Sequence, residues 1–343
     1  MSIATGVSGA IKKVLLGDTL LPQEFTLGLS DPQTEISVWL RGPGEERDVT
    51  DRLSTACAEP FTLCIGFDEA RCPVAESLSR LTLTFCERNR QKRVLGEIGL
   101  KYRATLPGTG SRFMLFEPRS SNNFCLPRTR IWTHYLLHAY RQWRRDNSQG
   151  IQMTFLERRA SMVTFIRPHP IVLVSVGNEQ DGNIFPMNLL GSLGNGYCGF
   201  ALRTERVAGS LVDKARRVAL SSVPLSQGFL AYRLANHHTK QSIDWNQLPF
   251  TTKKSRAFDI PVPDFAQRVK ELEVETSLAI GSHRFFIARI VRDEKFDDGP
   301  TFCSIHGFYQ SWRLREREHY DRELTVSLAG DAFNKRERHP AKT

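Results

Sequence analysis

The chain has 343 residues, a formal net charge of +10, 40% hydrophobic residues and 24% charged residues. This composition is globular and excludes a mostly disordered chain, and no apolar run approaches the ~18–20 residues that span a bilayer. The length exceeds what one hydrophobic core usually serves, which predicts two domains.

The basic excess is about +5 for residues 1–160 and about +5 for the remainder. Nucleic-acid binders usually gather their basic residues on one face or in one tail, and no zinc-finger, RNP or basic-zipper pattern is present. The even spread therefore predicts no nucleic-acid partner and fits an anionic small ligand. Residues Met1 to Leu21 carry Lys12 and Lys13 before only a few apolar residues, too weak a run for a secretory signal. A cytoplasmic protein with no membrane partner is expected. None of the seven cysteines forms a C-x-x-C pair, so reduced thiols are expected and no metal.

Ile36 to Leu40 is a short apolar run that ends at Gly42-Pro43-Gly44, a turn signal. Phe61 to Phe67 and Leu81 to Phe85 read as strands, the second alternating Leu81, Leu83 and Phe85 against Thr82 and Thr84. Val94 to Tyr102 follows as a strand, and Phe113 to Phe116 as another after the turn-rich Pro107–Gly110. Arg130 to Arg145 reads as a helix, with Trp132, Leu136, Ala139 and Trp143 on one apolar face and Arg141, Arg144 and Arg145 in the last turn. No internal repeat is visible. Asp146 to Gly150 breaks the pattern and predicts a boundary, giving an N-terminal α+β domain over residues 1–150.

Beyond it the texture changes. Ile171 to Val176 reads as a buried strand, and Tyr197 to Arg203, Val218 to Ser222, Gly228 to Leu234, Glu273 to Ile280 and Phe285 to Val291 follow as strands. Ser210 to Arg217 reads as a short helix, and Phe265, Val269 and Leu272 suggest another helical turn. Many short strands with frequent turns predict a barrel over residues 160–320. The tail, residues 330–343, is basic and is expected to be disordered. His237-His238 lies in a polar loop with no carboxylate beside it, so no metal site is expected there.

Four segments then resemble the flavin reductase family, the FMN-binding split barrels that include reductase components of two-component monooxygenases. The resemblance runs from about Arg167 to Trp312. It is carried by Pro168-His-Pro-Ile-Val-Leu-Val-Ser-Val176, by Asp181-Gly-Asn-Ile-Phe-Pro-Met-Asn188 with Gly191-Ser192, by Phe200-Ala-Leu-Arg-Thr-Glu-Arg-Val-Ala-Gly-Ser-Leu211, and by Gly281-Ser-His-Arg-Phe-Phe-Ile-Ala-Arg-Ile-Val291 after the acidic Glu271-Leu-Glu273. It implies a mainly β protein with some α: an FMN-binding split β-barrel preceded by the α+β domain.

A phosphate monoester needs backbone N–H groups, hydroxyls and a cation, best placed at a helix N-terminus. Arg203, Thr204, Arg206 and Ser210 offer such a set. An isoalloxazine ring needs an apolar slot with a few polar contacts, which Asn183, Asn188 and Ser192 could supply. The resemblance places His283 at the ring edge as the catalytic candidate, Ser282 beside it, and Tyr309 as an aromatic over the flavin. Ser282 stands where the family usually has Asp, and Pro186-Met-Asn188 replaces its usual Ser/Thr-rich run.

The implied cofactor is FMN, with FAD open, and NADH or NADPH as hydride donor. Three functions are compatible with this reading: an NAD(P)H-dependent flavin reductase that supplies a partner oxygenase, a self-contained FMN enzyme whose N-terminal domain shapes a pocket for a small organic substrate, and a non-catalytic FMN-binding protein. The family resemblance further implies a homodimer.

Overall fold

The computed structural model describes residues 24–29, 35–43, 45–73, 78, 80–88, 92–144 and 153–315. It opens with strand β1 (Glu24–Leu29). Seven antiparallel strands then form one sheet: β2 (Ile36–Gly42), β3 (Glu45–Asp48), β4 (Leu53–Ala58), β5 (Phe61–Asp68), β6 (Thr82–Glu87), β7 (Val94–Gly108) and β8 (Ser111–Asn123). Their spatial order is β3-β2-β6-β7-β8-β5-β4. Alternation along β5 explains its burial on both faces. Phe61, Leu63, Ile65 and Phe67 join the N-terminal core, while Cys64 joins a second cluster on the opposite face.

Helices α1 (Arg128–Arg144) and α2 (Phe155–Thr164) cover the first of these faces. Helix α2 begins with a capping box: Thr154 Oγ1 accepts from the Glu157 backbone N–H, and Glu157 Oε2 accepts from Thr154 N at 2.7 Å. Glu157 Oε1 also accepts from Phe61 N at 3.0 Å, so the cap fastens the helix to β5. The expected apolar face of α1 is not the buried one. Trp132 and Leu136 are 47% and 65% exposed, and Ile131, His134 and Tyr135 turn inward instead. The side chains of residues 137–144, the boundary at 146–150 and the tail at 330–343 lie outside the described residues.

The second half runs β9 (His169–Pro170), β10 (Val172–Val176), β11 (Asn183–Met187), β12 (Leu190–Gly194), β13 (Tyr197–Arg203), α3 (Val207–Ala215), β14 (Arg217–Ser222), α4 (Gly228–Arg233), β15 (Thr252–Lys254), β16 (Pro261–Pro263), β17 (Arg268–Ile280) and β18 (His283–Lys295). Seven of these strands form a sheet ordered β11-β10-β14-β17-β18-β13-β12. Two sequence expectations fail here. Gly228 to Leu234 is helical, because Gly228 lets the chain lie flat against the Phe302 ring: an added Cβ would stand 2.7 Å from it. Val269 and Leu272 belong to β17 and face opposite sides of the sheet, Val269 in a cluster with Ile260 and Val262 and Leu272 in one with Val274, so their spacing of three is not a helical stripe.

The two sheets are duplicates. Replacing β3-β2-β6-β7-β8-β5-β4 by β11-β10-β14-β17-β18-β13-β12 keeps every neighbour relation. The registers agree as well. Gly108 pairs with Ser111 and Ile280 with His283; Leu106 pairs with Phe113 and Leu278 with Phe285. The bulges at Gly99/Leu100 and Tyr102/Ala104 recur at Glu271/Leu272 and Val274/Thr276. The bulge at Thr55/Cys57 on β4 recurs at Ser192/Gly194 on β12. The sequence expectation of no internal repeat is thus overturned at the level of backbone register.

The halves meet face to face. Phe113, Leu115 and Cys64 pack with Phe285, Ile287, Leu193, Tyr197 and Ala201 in one buried cluster. Backbones come close enough to require glycine: an added Cβ at Gly191 would lie 2.1 Å from the Leu53 carbonyl oxygen, and one at Gly66 would lie 1.9 Å from that of Leu193. Ser54 Oγ donates to the Gly199 carbonyl across the seam at 2.8 Å. The Arg167 guanidinium is buried and donates to the carbonyls of Thr50 (2.6 Å) and Leu53 (3.0 Å), tying the connection after α2 to the same strand.

The chain then returns to its first half. Strand β19 (Thr301–His306) pairs with β1 and β9, and α5 (Gly307–Arg315) enters the N-terminal core through Phe308, Tyr309 and Trp312. The span expected for the barrel, residues 160–320, therefore ends in the other half's core. Tyr309 is fully buried there, donates to Glu35 Oε2 at 2.7 Å and stacks on Trp312. Its expected place over a flavin is corrected: the aromatic segment is core packing for the first half.

Candidate functional site

The loop between β13 and α3 builds a basic corner. Arg203 ends β13 directly opposite His283, the first residue of β18. The backbone N–H of Thr204 donates to Ser282 O at 3.1 Å, so the loop is pinned to the β17–β18 turn. Arg206 is the N-cap residue of α3, with extended backbone and no side-chain cap, which leaves the N–H groups of the first turn open to an anion. Arg284 fixes that helix from below, donating to Asp213 Oδ2 at 2.6 Å.

His238 stands close enough to feel both arginines. Burial first, and then the charges of Arg206 and Arg203, hold its pKa below the ordinary value. Its ring packs tilted on Phe185 at 4.8 Å, and Nε2 bonds to the Pro186 carbonyl at 2.7 Å. Sequence reasoning considered this residue only as a metal ligand. Among the described residues, no group of three His, Cys, Asp or Glu side chains could hold a metal ion.

His283 is 3% exposed, and burial together with the Arg203 charge pushes its pKa down to about 4. It is neutral at pH 7, and Nδ1 lies 2.8 Å from Ser282 Oγ. Ser282 Oγ also accepts from Glu59 N at 3.1 Å, and Ser282 N donates to Glu59 O at 2.7 Å. Cys57 Sγ sits 3.9 Å from His283 Nδ1. The first half of the chain thus forms the wall behind the histidine, through the β4–β5 turn.

The remaining sequence-predicted residues separate. Ser210 is exposed but its hydroxyl donates to Val207 O at 2.7 Å, a bond within its own helix. Asn183 is fully buried and donates from Nδ2 to the carbonyls of His237 (2.9 Å) and Lys240 (2.7 Å), so it positions the segment bearing His238. Among the described residues its Oδ1 has no hydrogen-bond partner. Asn188 and Ser192 are half-buried on either side of the start of β12, and Ser192 Oγ accepts from Gly194 N within the bulge. The structure brings together Arg203, Thr204, Arg206, Ser282 and His283.

No family model matches the chain, and no curated relative matches it. Solved structures do. The FMN-binding protein of Thermus thermophilus with bound p-hydroxybenzaldehyde is 25% identical, covering 37% of this chain and 72% of that one, at a TM-score of 0.34. The NADH:FAD oxidoreductase of Streptomyces globisporus C-1027 is 14% identical over 44% of this chain and 88% of its own, at 0.38. The styrene monooxygenase flavin reductase of Pseudomonas putida S12 is 19% identical over 43% and 92%, at 0.35. These structures are flavin reductases and FMN-binding proteins. Each is matched over less than half of this chain, and the expected fold class, mainly β with some α, is that of the strands and helices described above. No helix among the described residues is long and apolar enough to cross a membrane.

Proposed function

We propose that this chain is an FMN-binding oxidoreductase that takes its reducing equivalents from NADH or NADPH and supplies reduced flavin to a partner oxygenase. The observation that carries the reading is the basic corner: Arg203 and Arg206 flank the uncapped first turn of α3. That donor set fits the dianionic phosphate of FMN, which seeks guanidinium groups and converging N–H groups. FAD presents a diphosphate diester, which suits a terminal corner of this kind less well.

FMN, when bound, supplies a ring that accepts hydride at N5. The chain's own residues bind and orient it. Arg203 and Arg206 hold the phosphate, and the Thr204 N–H bond to Ser282 keeps their loop against the hairpin turn. His283 stays neutral, so it offers a polar ring edge without adding charge. No proton transfer is required of it, in keeping with a reaction that needs stacked rings more than acid–base help.

A second reading, a self-contained FMN enzyme acting on a small organic substrate, draws on the wall that Cys57 and Glu59 form behind His283. Seven cysteines that stand as thiols fit a cytoplasmic setting. Anaerobic mixing of the flavin-loaded protein with each nicotinamide separates the readings. Flavin bleaching followed by release of reduced FMN supports the reductase; bleaching with retention supports the second reading. No bleaching with either nicotinamide overturns the nicotinamide-dependent reaction.

A further inference from the structure

The duplication places a second corner in the first half, related to the first by the seam. At the end of β5, Asp68 pairs with Ser111 as Arg203 pairs with His283 at the end of β13. Gly110 precedes Ser111 in its turn as Ser282 precedes His283. The chemistry at the two corners differs: the second is closed by ion pairs, Asp68 with Arg52 and Glu69 with Arg112. The second corner carries Asp68 and Glu69 in place of Arg203 and Thr204, and a three-residue 3-10 turn, Glu69–Arg71, in place of α3. It is also filled: Arg52 Nη1 donates to Asp68 Oδ1 at 2.8 Å, and Asn195 Nδ2 donates to Asp68 Oδ1 (2.8 Å) and Ser111 Oγ (2.9 Å).

The partner-side contacts are matched too. The β4–β5 turn of the first half reaches the His283 corner through Ala58 N, 3.5 Å from His283 Nδ1, and through Glu59. The β12–β13 turn of the second half reaches the Ser111 corner through Asn195. Each half thus closes the other's corner, and the surface a second subunit would need is already covered within one chain by a buried apolar cluster.

We infer that the chain is a self-paired unit in which one corner is kept for an anionic ligand and the other has been inverted and plugged, so that a monomer takes one FMN. The inference rests on the proposed flavin site and replaces the homodimer that the sequence resemblance implies. Asp68 and Glu69 engage the arginines of their corner, Arg52 and Arg112, as ion-pair partners, where Arg203 stands toward a phosphate, and the Asn195 amide occupies the space beside Ser111.

The test is FMN titration of the full chain, with the mass of the complex read by light scattering, for the native protein and the Arg203→Glu and Asp68→Asn variants. The expected result is a monomer that binds one FMN, loses it with Arg203→Glu, and keeps a stoichiometry of one with Asp68→Asn. Two FMN per chain, or a stable homodimer with or without flavin, overturns the inference. A monomer that binds no FMN overturns the flavin reading and the one-ligand claim, and upholds the self-pairing that the mass reports.

Discussion

Arg203 and Asp68 hold the same place in two copies of one fold, each ending the strand that pairs with the long hairpin, and they carry opposite charge. The consequence is directional. Replacing Arg203 by Ala removes a charge-assisted bond to a phosphate and weakens FMN binding by about 1–3 kcal/mol. Riboflavin, which lacks the phosphate, binds the variant and the native protein alike. Fluorescence titration with both ligands checks this; equal losses for both would place Arg203 against the ring instead.

Asp68 predicts a stability effect without a ligand effect. Hydrogen bonds from Arg52 and Asn195 hold its carboxyl below the ordinary range. A depressed carboxyl contributes stability above its unfolded pKa, and that contribution is lost as pH falls through the folded value. Asp68→Asn therefore lowers the midpoint of urea unfolding at pH 7 and narrows its difference from the native protein at acidic pH. A difference that stays constant with pH would assign the effect to the lost geometry of the Asn195 contact.

His283 gives the opposite kind of pH dependence. Its pKa falls from 6.5 to about 4 on folding. Between these values the unfolded chain binds a proton that the folded chain refuses, so stability drops as pH falls below 6.5. The full loss by pH 4 is about 3 kcal/mol. His169, buried and pushed down to about 3, adds a loss of the same sign. His283→Gln removes the first contribution and leaves the second, so the fall in unfolding free energy between pH 7 and pH 4.5 becomes shallower but does not vanish. An unchanged slope would mean that His283 takes up its proton over the same pH range in the folded and unfolded chain.

Tyr309 tests the correction to the sequence reading. Its hydroxyl meets Glu35, which also pairs with the buried Arg313 at 2.5 Å. Tyr309→Phe leaves that carboxylate with one bond fewer and costs about 1–2 kcal/mol of stability, while FMN affinity stays unchanged. Weaker flavin binding at unchanged stability would return the ring to the cofactor.

What was legible in the sequence follows from these particulars. Phe61 to Phe67 was readable because its large apolar residues recur at every second position, and Phe285 to Val291 because it is a short apolar run; both are buried on two faces, between a core and the seam. The corner was readable at Arg203, Thr204 and Arg206 because cations and a helix start adjoin in sequence. His238 was not, because it reaches the corner only through the fold of a distant segment that Asn183 anchors. The duplication was hidden because register, not side-chain identity, is what the halves share. Lys101 faces Glu117 where Glu273 faces Arg289, a pair with its charges exchanged, and Gly96 with Asn123 stands where the other half has Arg268 with Lys295. A β-bulge is a backbone property that many sequences satisfy, so its recurrence shows only in the ladder.

The seam between the copies is the last point to probe, and its two glycines allow it. Gly66 and Gly191 stand where an added Cβ would meet the opposite half's backbone at 1.9 Å and 2.1 Å. The Leu53 carbonyl is held by the buried Arg167 guanidinium at 3.0 Å, and both contacts are to backbone, so alanine at either position forces the sheets apart and costs about 1–3 kcal/mol, the range typical of overpacking. Each half keeps its own core on the far side of its sheet, around Phe85 and Phe116 in one and Phe185 and Phe200 in the other. Gly191→Ala is therefore expected to loosen the seam before the cores melt, broadening the thermal transition and weakening FMN binding, because Ala58 and Glu59 withdraw from His283. Gly209→Ala is the comparison: its nearest neighbour, the Arg203 carbonyl oxygen, would be 3.5 Å from the new Cβ, an ordinary contact, so the transition stays sharp. Calorimetry of the two variants decides the matter, and equal, sharp transitions for both would show that the halves are not held together through this strand pair.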